Sequence, residues 1–96
     1  MDTFKELIKI SMKLLLEADE YADMYSEYKD HMQLKALFYT LANGHLDMYS
    51  KVKTQINNET SRMMSDEPNR HADSIWSFIK ETEMDLCNKV KDKLSN

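Results

Sequence analysis

A single glycine and a single proline in 96 residues leave this chain few places to turn, and that scarcity constrains its fold more than any motif. Sharp turns and strand ends draw on those two residue types, which together make up about 12% of ordinary sequence. Long helices need neither. Eight methionines, with Lys, Glu, Leu and Ala abundant, agree, because unbranched side chains lose little rotamer freedom in a helix. The expectation is an all-α helical bundle in one domain spanning residues 1–96: three long helices, arranged as an antiparallel helical hairpin plus a third helix.

Three stretches carry apolar residues at steps of three and four. The first runs through Phe4, Leu7, Leu14, Leu15, Ala18, Tyr21, Ala22 and Tyr25. The second runs through Leu34, Leu37, Phe38, Leu41, His45, Met48, Tyr49, Val52 and Ile56. The third holds Ala72, Ile75, Trp76, Ile79, Glu83, Leu86, Val90 and Leu94. No Gly or Pro separates the first two. At about 100° per residue their stripes nevertheless lie roughly 150° apart, so one continuous helix would aim its halves at opposite sides. A break near Asp30 removes the conflict and folds the two back on each other.

The spacing predicts helices over about 3–29, 31–58 and 67–94. Thr3 with Glu6, and Asp30 with Gln33, have the spacing of capping boxes. Gly44 is expected inside the second helix, weakening it by about 1 kcal/mol and admitting a close helical neighbour. Residues 57–71 are expected to form the long connection, with Ser65 or Asp66 as cap and Pro68 in the first turn of the third helix. Lys89, Lys91 and Lys93 would then suit the negative end of that helix's dipole.

Composition excludes several function classes. Seventeen acidic against 13 basic residues give a net charge of −4, unlike the basic face and high pI of a duplex-binding module. Direct nucleic-acid binding is not expected. A lone cysteine, Cys87, cannot close an internal disulfide and reads as a small half-buried hydrophobe. The longest aliphatic run, Leu14-Leu15-Leu16, is far short of the 18 or so residues that span a bilayer. Asp2, Glu6, Lys9 and Lys13 interrupt what would be the apolar part of a secretory signal. A cytoplasmic protein with no membrane contact is expected.

Catalytic and metal signatures are incomplete. A carboxylate-bridged di-metal bundle needs inward-facing Glu on two helices and Glu-x-x-His on the others. Only His45 and Glu83 lie in core phase, with Glu17 at a boundary about 110° off the first stripe. The position three before His45 is Ala42 rather than Glu. His45 therefore reads as a core histidine hydrogen-bonded to a tyrosine or a carboxylate; the alternative is a degenerate metal site using His45, Glu83 and Glu17. His31 and His71 stand near helix starts, where surface or capping roles are the default. One glycine cannot build a phosphate-cradling loop. Neither enzymatic activity nor a cofactor is expected.

Two surface features remain. Between residues 7 and 16 the first helix is apolar almost all round, with Met12 and Leu16 opposite the core side. A helix hydrophobic on every side is usually covered on every side, either by the third helix or by a subunit or partner. Further along, Asp19, Glu20, Asp23, Glu27 and Asp30 fall on one stripe opposite the core. Like charges three or four apart repel, so the stripe does nothing for the helix. It reads either as a solvated outer face or as a docking surface for a basic partner, with steering that salt weakens.

The stretches Lys9-Ile10-Ser11-Met12-Lys13-Leu14-Leu15-Leu16-Glu17-Ala18-Asp19 and Leu34-Lys35-Ala36-Leu37-Phe38-Tyr39-Thr40-Leu41-Ala42-Asn43-Gly44-His45 resemble a group of small helical proteins of phages and prophages, ferritin-like in their first two helices. Those proteins carry Glu-x-x-His in the second helix; here Ala42-Asn43-Gly44-His45 keeps the His and lacks the Glu. The resemblance implies a phage-encoded acidic interaction protein in a host cytosol. Its partner would be a host protein with a basic surface, and inhibition of a defence nuclease, as by an anti-CRISPR protein, is one such role. Asp19, Glu20, Asp23, Glu27 and Asp30 would meet the basic surface, and Met12 with Leu16 an apolar one. A homodimer or a structural homo-oligomer is the remaining alternative.

Overall fold

The structure, a computed structural model, describes residues 2–64 and 70–95, the side chains of 2, 63, 64 and 70–75 excepted. Three helices make it up: α1 (Asp2–Glu27), α2 (Met32–Met64) and α3 (Arg70–Ser95). The expected connection at 65–69, with Ser65, Asp66 and Pro68, lies outside the described residues, as do the side chains of His71, Ala72 and Ile75.

The hairpin break falls where periodicity placed it, but a different residue caps it. Tyr28 closes α1 by donating to the Met24 carbonyl, and the His31 N–H donates to Tyr28 O at 2.9 Å. His31, not Asp30, stands before the first turn of α2: its Nδ1 accepts from the Leu34 N–H at 3.3 Å. At the other end, α1 starts at Asp2, so Thr3 sits inside the helix and Glu6 turns to Lys9 at 3.6 Å. The capping box at Thr3 is not formed.

α2 also outruns its expected end, continuing from residue 58 to Met64. The polar run Asn57–Arg62 has no helix breaker, and tertiary contacts hold it. Thr60 is buried and returns its hydroxyl to the Ile56 carbonyl at 2.9 Å. Trp76 of α3 donates its indole N–H to Asn57 Oδ1 at 2.7 Å. A pattern that reads as loop is helix because another helix leans on it.

The core has three parts. Phe4, Ile56 and Trp76 fill one end, Leu14, Leu15 and Tyr49 the middle, and Ala18, Ala22, Ala42, Val90 and Leu94 the far part. Contacts pair Phe4 with Trp76, Ser11 with Glu83 and Asp19 with Lys93. α3 therefore runs parallel to α1 and antiparallel to α2, an up-down-up bundle drawn out to 54 × 18 × 15 Å. Small residues at the far part let backbones approach. Gly44 is not among them: a Cβ there would meet nothing within 4 Å, so the close neighbour expected at Gly44 is absent.

Leu37 and Met48, both assigned to the core stripe of α2, are half exposed. The buried sector of α2 centres on Ala42, Tyr49 and Ile56, to one side of the stripe drawn through Leu37 and Met48.

Candidate functional site

The three candidate ligands divide between two places. His45 Nδ1 lies 2.9 Å from the Leu41 carbonyl, to which it donates, and Nε2 lies 2.9 Å from Glu17 Oε2. Tyr21 packs edge-on against the imidazole at 5.1 Å. His45 is thus hydrogen-bonded to a carboxylate across the hairpin. Glu83 is elsewhere, bonded to Ser11. Among the described residues no three His, Cys, Asp or Glu side chains converge on a point that could hold a metal ion.

Glu83 is fully buried, with 0% of its surface exposed. Its Oε2 is 2.6 Å from Ser11 Oγ, which is also 2.9 Å from the Ile8 carbonyl oxygen. The Ser11 hydroxyl has one hydrogen, and a carbonyl oxygen only accepts. Ser11 either shares that hydrogen between the Ile8 carbonyl and Glu83, or donates it to Ile8 while a protonated Glu83 donates to Ser11. Burial favours the protonated form, pushing the Glu83 carboxyl above the usual range, with Ser11, Lys53 and Tyr49 pulling it back.

Tyr49 lies beside this carboxyl, and burial together with Glu83 holds its phenol well above the ordinary range. Neither Tyr49 Oη nor Glu83 Oε1 closes a hydrogen bond. The two groups meet in a packed interior, where burial disfavours the charged form of each. Cys87 packs half-buried against the same cluster.

The acidic stripe is divided by α3. Lys93 Nζ sits 2.6 Å from Asp19 Oδ1 and 2.7 Å from Asp23 Oδ1. These two carboxylates clamp the C-terminal part of α3 onto α1, and Asp19 is largely withdrawn from solvent. The reading of Asp19 as part of a solvated outer face is corrected: α3 packs against the flank of α1 where Asp19 lies. Lys93 reaches across to α1 rather than simply facing its own helix end. Glu20, Asp23, Glu27 and Asp30 remain exposed. Of the apolar pair, Met12 is half-buried and Leu16 is 51% exposed.

Sequence reading missed the end of the hairpin. Leu94, at the end of α3, packs in the cluster against which Tyr25 also lies, so the turn of the hairpin projects beyond the reach of α3. There the α1–α2 pair has no third helix over it, and Tyr28, Met32, Leu37 and Tyr39 are exposed, Met32 at 84%. A cleft of about 360 Å³ opens there, lined by Tyr25, Met32, Ala36 and Tyr39, with Lys29 and Lys35 on its rim. Lys35 also stands 5.4 Å from the centre of the Tyr25 ring, a cation–π contact that holds the rim in place. The core stripes take in Tyr21, Tyr25 and Phe38 but not Tyr28, Met32 or Tyr39, and periodicity alone does not show that these three gather at one end.

No helix of the described residues is long and apolar enough to cross a membrane. Comparison with protein-family models, curated proteins and solved structures finds no match for this chain.

Proposed function

We propose that the protein is a non-enzymatic interaction module that binds a protein partner through the end of its hairpin. One observation carries this reading: large apolar side chains stand exposed around a cleft at the α1–α2 turn, where the bundle thins from three helices to two. Tyr and Met are the residue types that anchor protein interfaces, Tyr through rigid contact area and Met through adaptability. An apolar side chain or helix face of the partner enters between Tyr25, Met32 and Tyr39, the helix-in-groove mode. Glu27 and Asp30 lie on the α1 side of the same end and meet a basic patch of the partner.

A basic patch of that kind lines the nucleic-acid groove of a nuclease. The resemblance to phage proteins makes a host defence nuclease the first partner to try, with inhibition by occupation of the groove as the mode of action. The test compares binding by the wild type with Met32→Glu and Tyr39→Ala, and with Met84→Glu as a control on α3. Loss of the same host protein in both hairpin variants, but not in the control, supports the reading. Equal retention by all forms removes it.

A further inference from the structure

The exposed face of α1 carries a charge order that the core does not use. At helical pitch Lys5, Lys9, Lys13, Leu16, Glu20, Asp23 and Glu27 form one stripe, and every member is exposed. The three bases all precede Leu16 and the three acids all follow it. Their distances from Leu16 also match. Lys5 and Glu27 stand eleven residues from it, Lys9 and Asp23 seven, and Lys13 and Glu20 three and four.

We propose that this face is a dimerisation surface, on which α1 of a second copy of the chain packs antiparallel about a two-fold axis at Leu16. Lys5, Lys9 and Lys13 then meet Glu27, Asp23 and Glu20 of the second copy, and by symmetry each pair forms twice. Leu16 meets its own counterpart at the centre. Beside it runs an apolar groove of about 440 Å³ formed by Ile8, Met12, Leu16 and Ile79, which the second α1 covers.

Charge selects this occupant. A uniformly basic partner would repel Lys5, Lys9 and Lys13, and a uniformly acidic one would repel Glu20, Asp23 and Glu27. A parallel copy would set like charges opposite each other. Of these occupants, the antiparallel copy alone matches both halves. The intrachain contacts of the bases are weak competitors: Lys9 with Glu6 at 3.6 Å and Lys13 with Glu17 at 4.0 Å are exposed pairs. Asp23 keeps Lys93 as a neighbour, yet its side chain is still 61% exposed. The surface is the middle of α1, so the inference goes beyond docking at the hairpin end. In the dimer the two clefts point in opposite directions.

The test is sedimentation equilibrium across concentration and salt, with exposed-site variants whose helicity is checked by circular dichroism. The expected result is a dimer weakened by salt, weakened about tenfold or more by Lys13→Glu, and restored when Glu20→Lys is added to Lys13→Glu. In a Cys87→Ser background, Leu16→Cys should form a disulfide-linked dimer under mild oxidation. Lys5→Cys should not, because its two copies would stand roughly 33 Å apart at about 1.5 Å per residue. A monomer at hundreds of micromolar overturns the proposal. So does a dimer that is indifferent to Lys13→Glu, or one that crosslinks through Lys5→Cys rather than Leu16→Cys.

Discussion

Replacing Glu83 by glutamine should stabilise the protein at neutral pH and leave it unchanged near pH 4. The side chain is fully buried, and its carboxyl serves Ser11 best when protonated. A carboxyl whose folded pKa lies above its unfolded value contributes fully to stability below the unfolded value. That contribution is lost as pH rises through the folded one. At pH 7 the native state therefore bears the cost of either taking up a proton or burying a charge. Glutamine bears neither: its amide nitrogen can donate to Ser11 as the protonated acid does, and its oxygen can face the Tyr49 hydroxyl.

The gain is about 1–2 kcal/mol, the scale of an imperfectly satisfied buried polar group. In a domain of this size that raises Tm by roughly 5–15 °C. Trp76, the only tryptophan, is buried between α2 and α3, so its fluorescence reports unfolding in urea at a series of pH values from 4 to 8. The gap between Glu83→Gln and wild type should widen with pH. A variant less stable than wild type at pH 7, or a gap independent of pH, would show that the fold holds Glu83 ionised and would refute the proton assignment.

Other substitutions probe the remaining contacts. Lys93→Met should cost about 1 kcal/mol at low salt, because the ammonium is a third exposed and the pair with Asp19 is partly screened. The loss should shrink in 1 M salt, read as a smaller shift in Tm. Asp19 and Asp23 raise the Lys93 pKa, so the clamp should hold at neutral pH and weaken as pH climbs through that raised value, measurable in an alkaline unfolding titration. Gly44→Ala should stabilise by about 0.5–1 kcal/mol in thermal melts, since the added methyl meets nothing and the helix gains propensity. Trp76→Ala should cost about 3–5 kcal/mol, enough to leave much of the chain unfolded by circular dichroism if total stability is at the low end of about 5–15 kcal/mol.

Much of the fold could be read residue by residue. Phe4, Leu14, Leu15, Ala18 and Ala22 on α1, Tyr49 and Ile56 on α2, and Trp76, Val90 and Leu94 on α3 were placed inside by spacing alone, and they are buried. So was Glu83, whose carboxyl falls in phase with them. Of the two partners expected for His45, a tyrosine or a carboxylate, the hydrogen bond goes to the carboxylate of Glu17. Met48 was misplaced because a stripe drawn for one neighbour does not say which sector a second neighbour covers, and Leu37 because it lies at the hairpin end, beyond the reach of α3. The extension of α2 past residue 58 was missed because Asn57 and Thr60 look like loop residues until Trp76 and the core lie against them.

The sequence by itself determined that the chain is helical, where the hairpin breaks and, for α1 and α3, which side faces inward. Those are properties of backbone period and of the near absence of Gly and Pro, and they need no knowledge of neighbours. Only the tertiary structure decided that Lys93 reaches Asp19 and Asp23, that Ser11 shares its hydroxyl with Glu83, and that the hairpin outreaches α3 to bare Met32 and Tyr39. Each of these depends on the axial offset between helices distant in sequence. That offset is set by how their side chains interlock, and no single helix's period contains it.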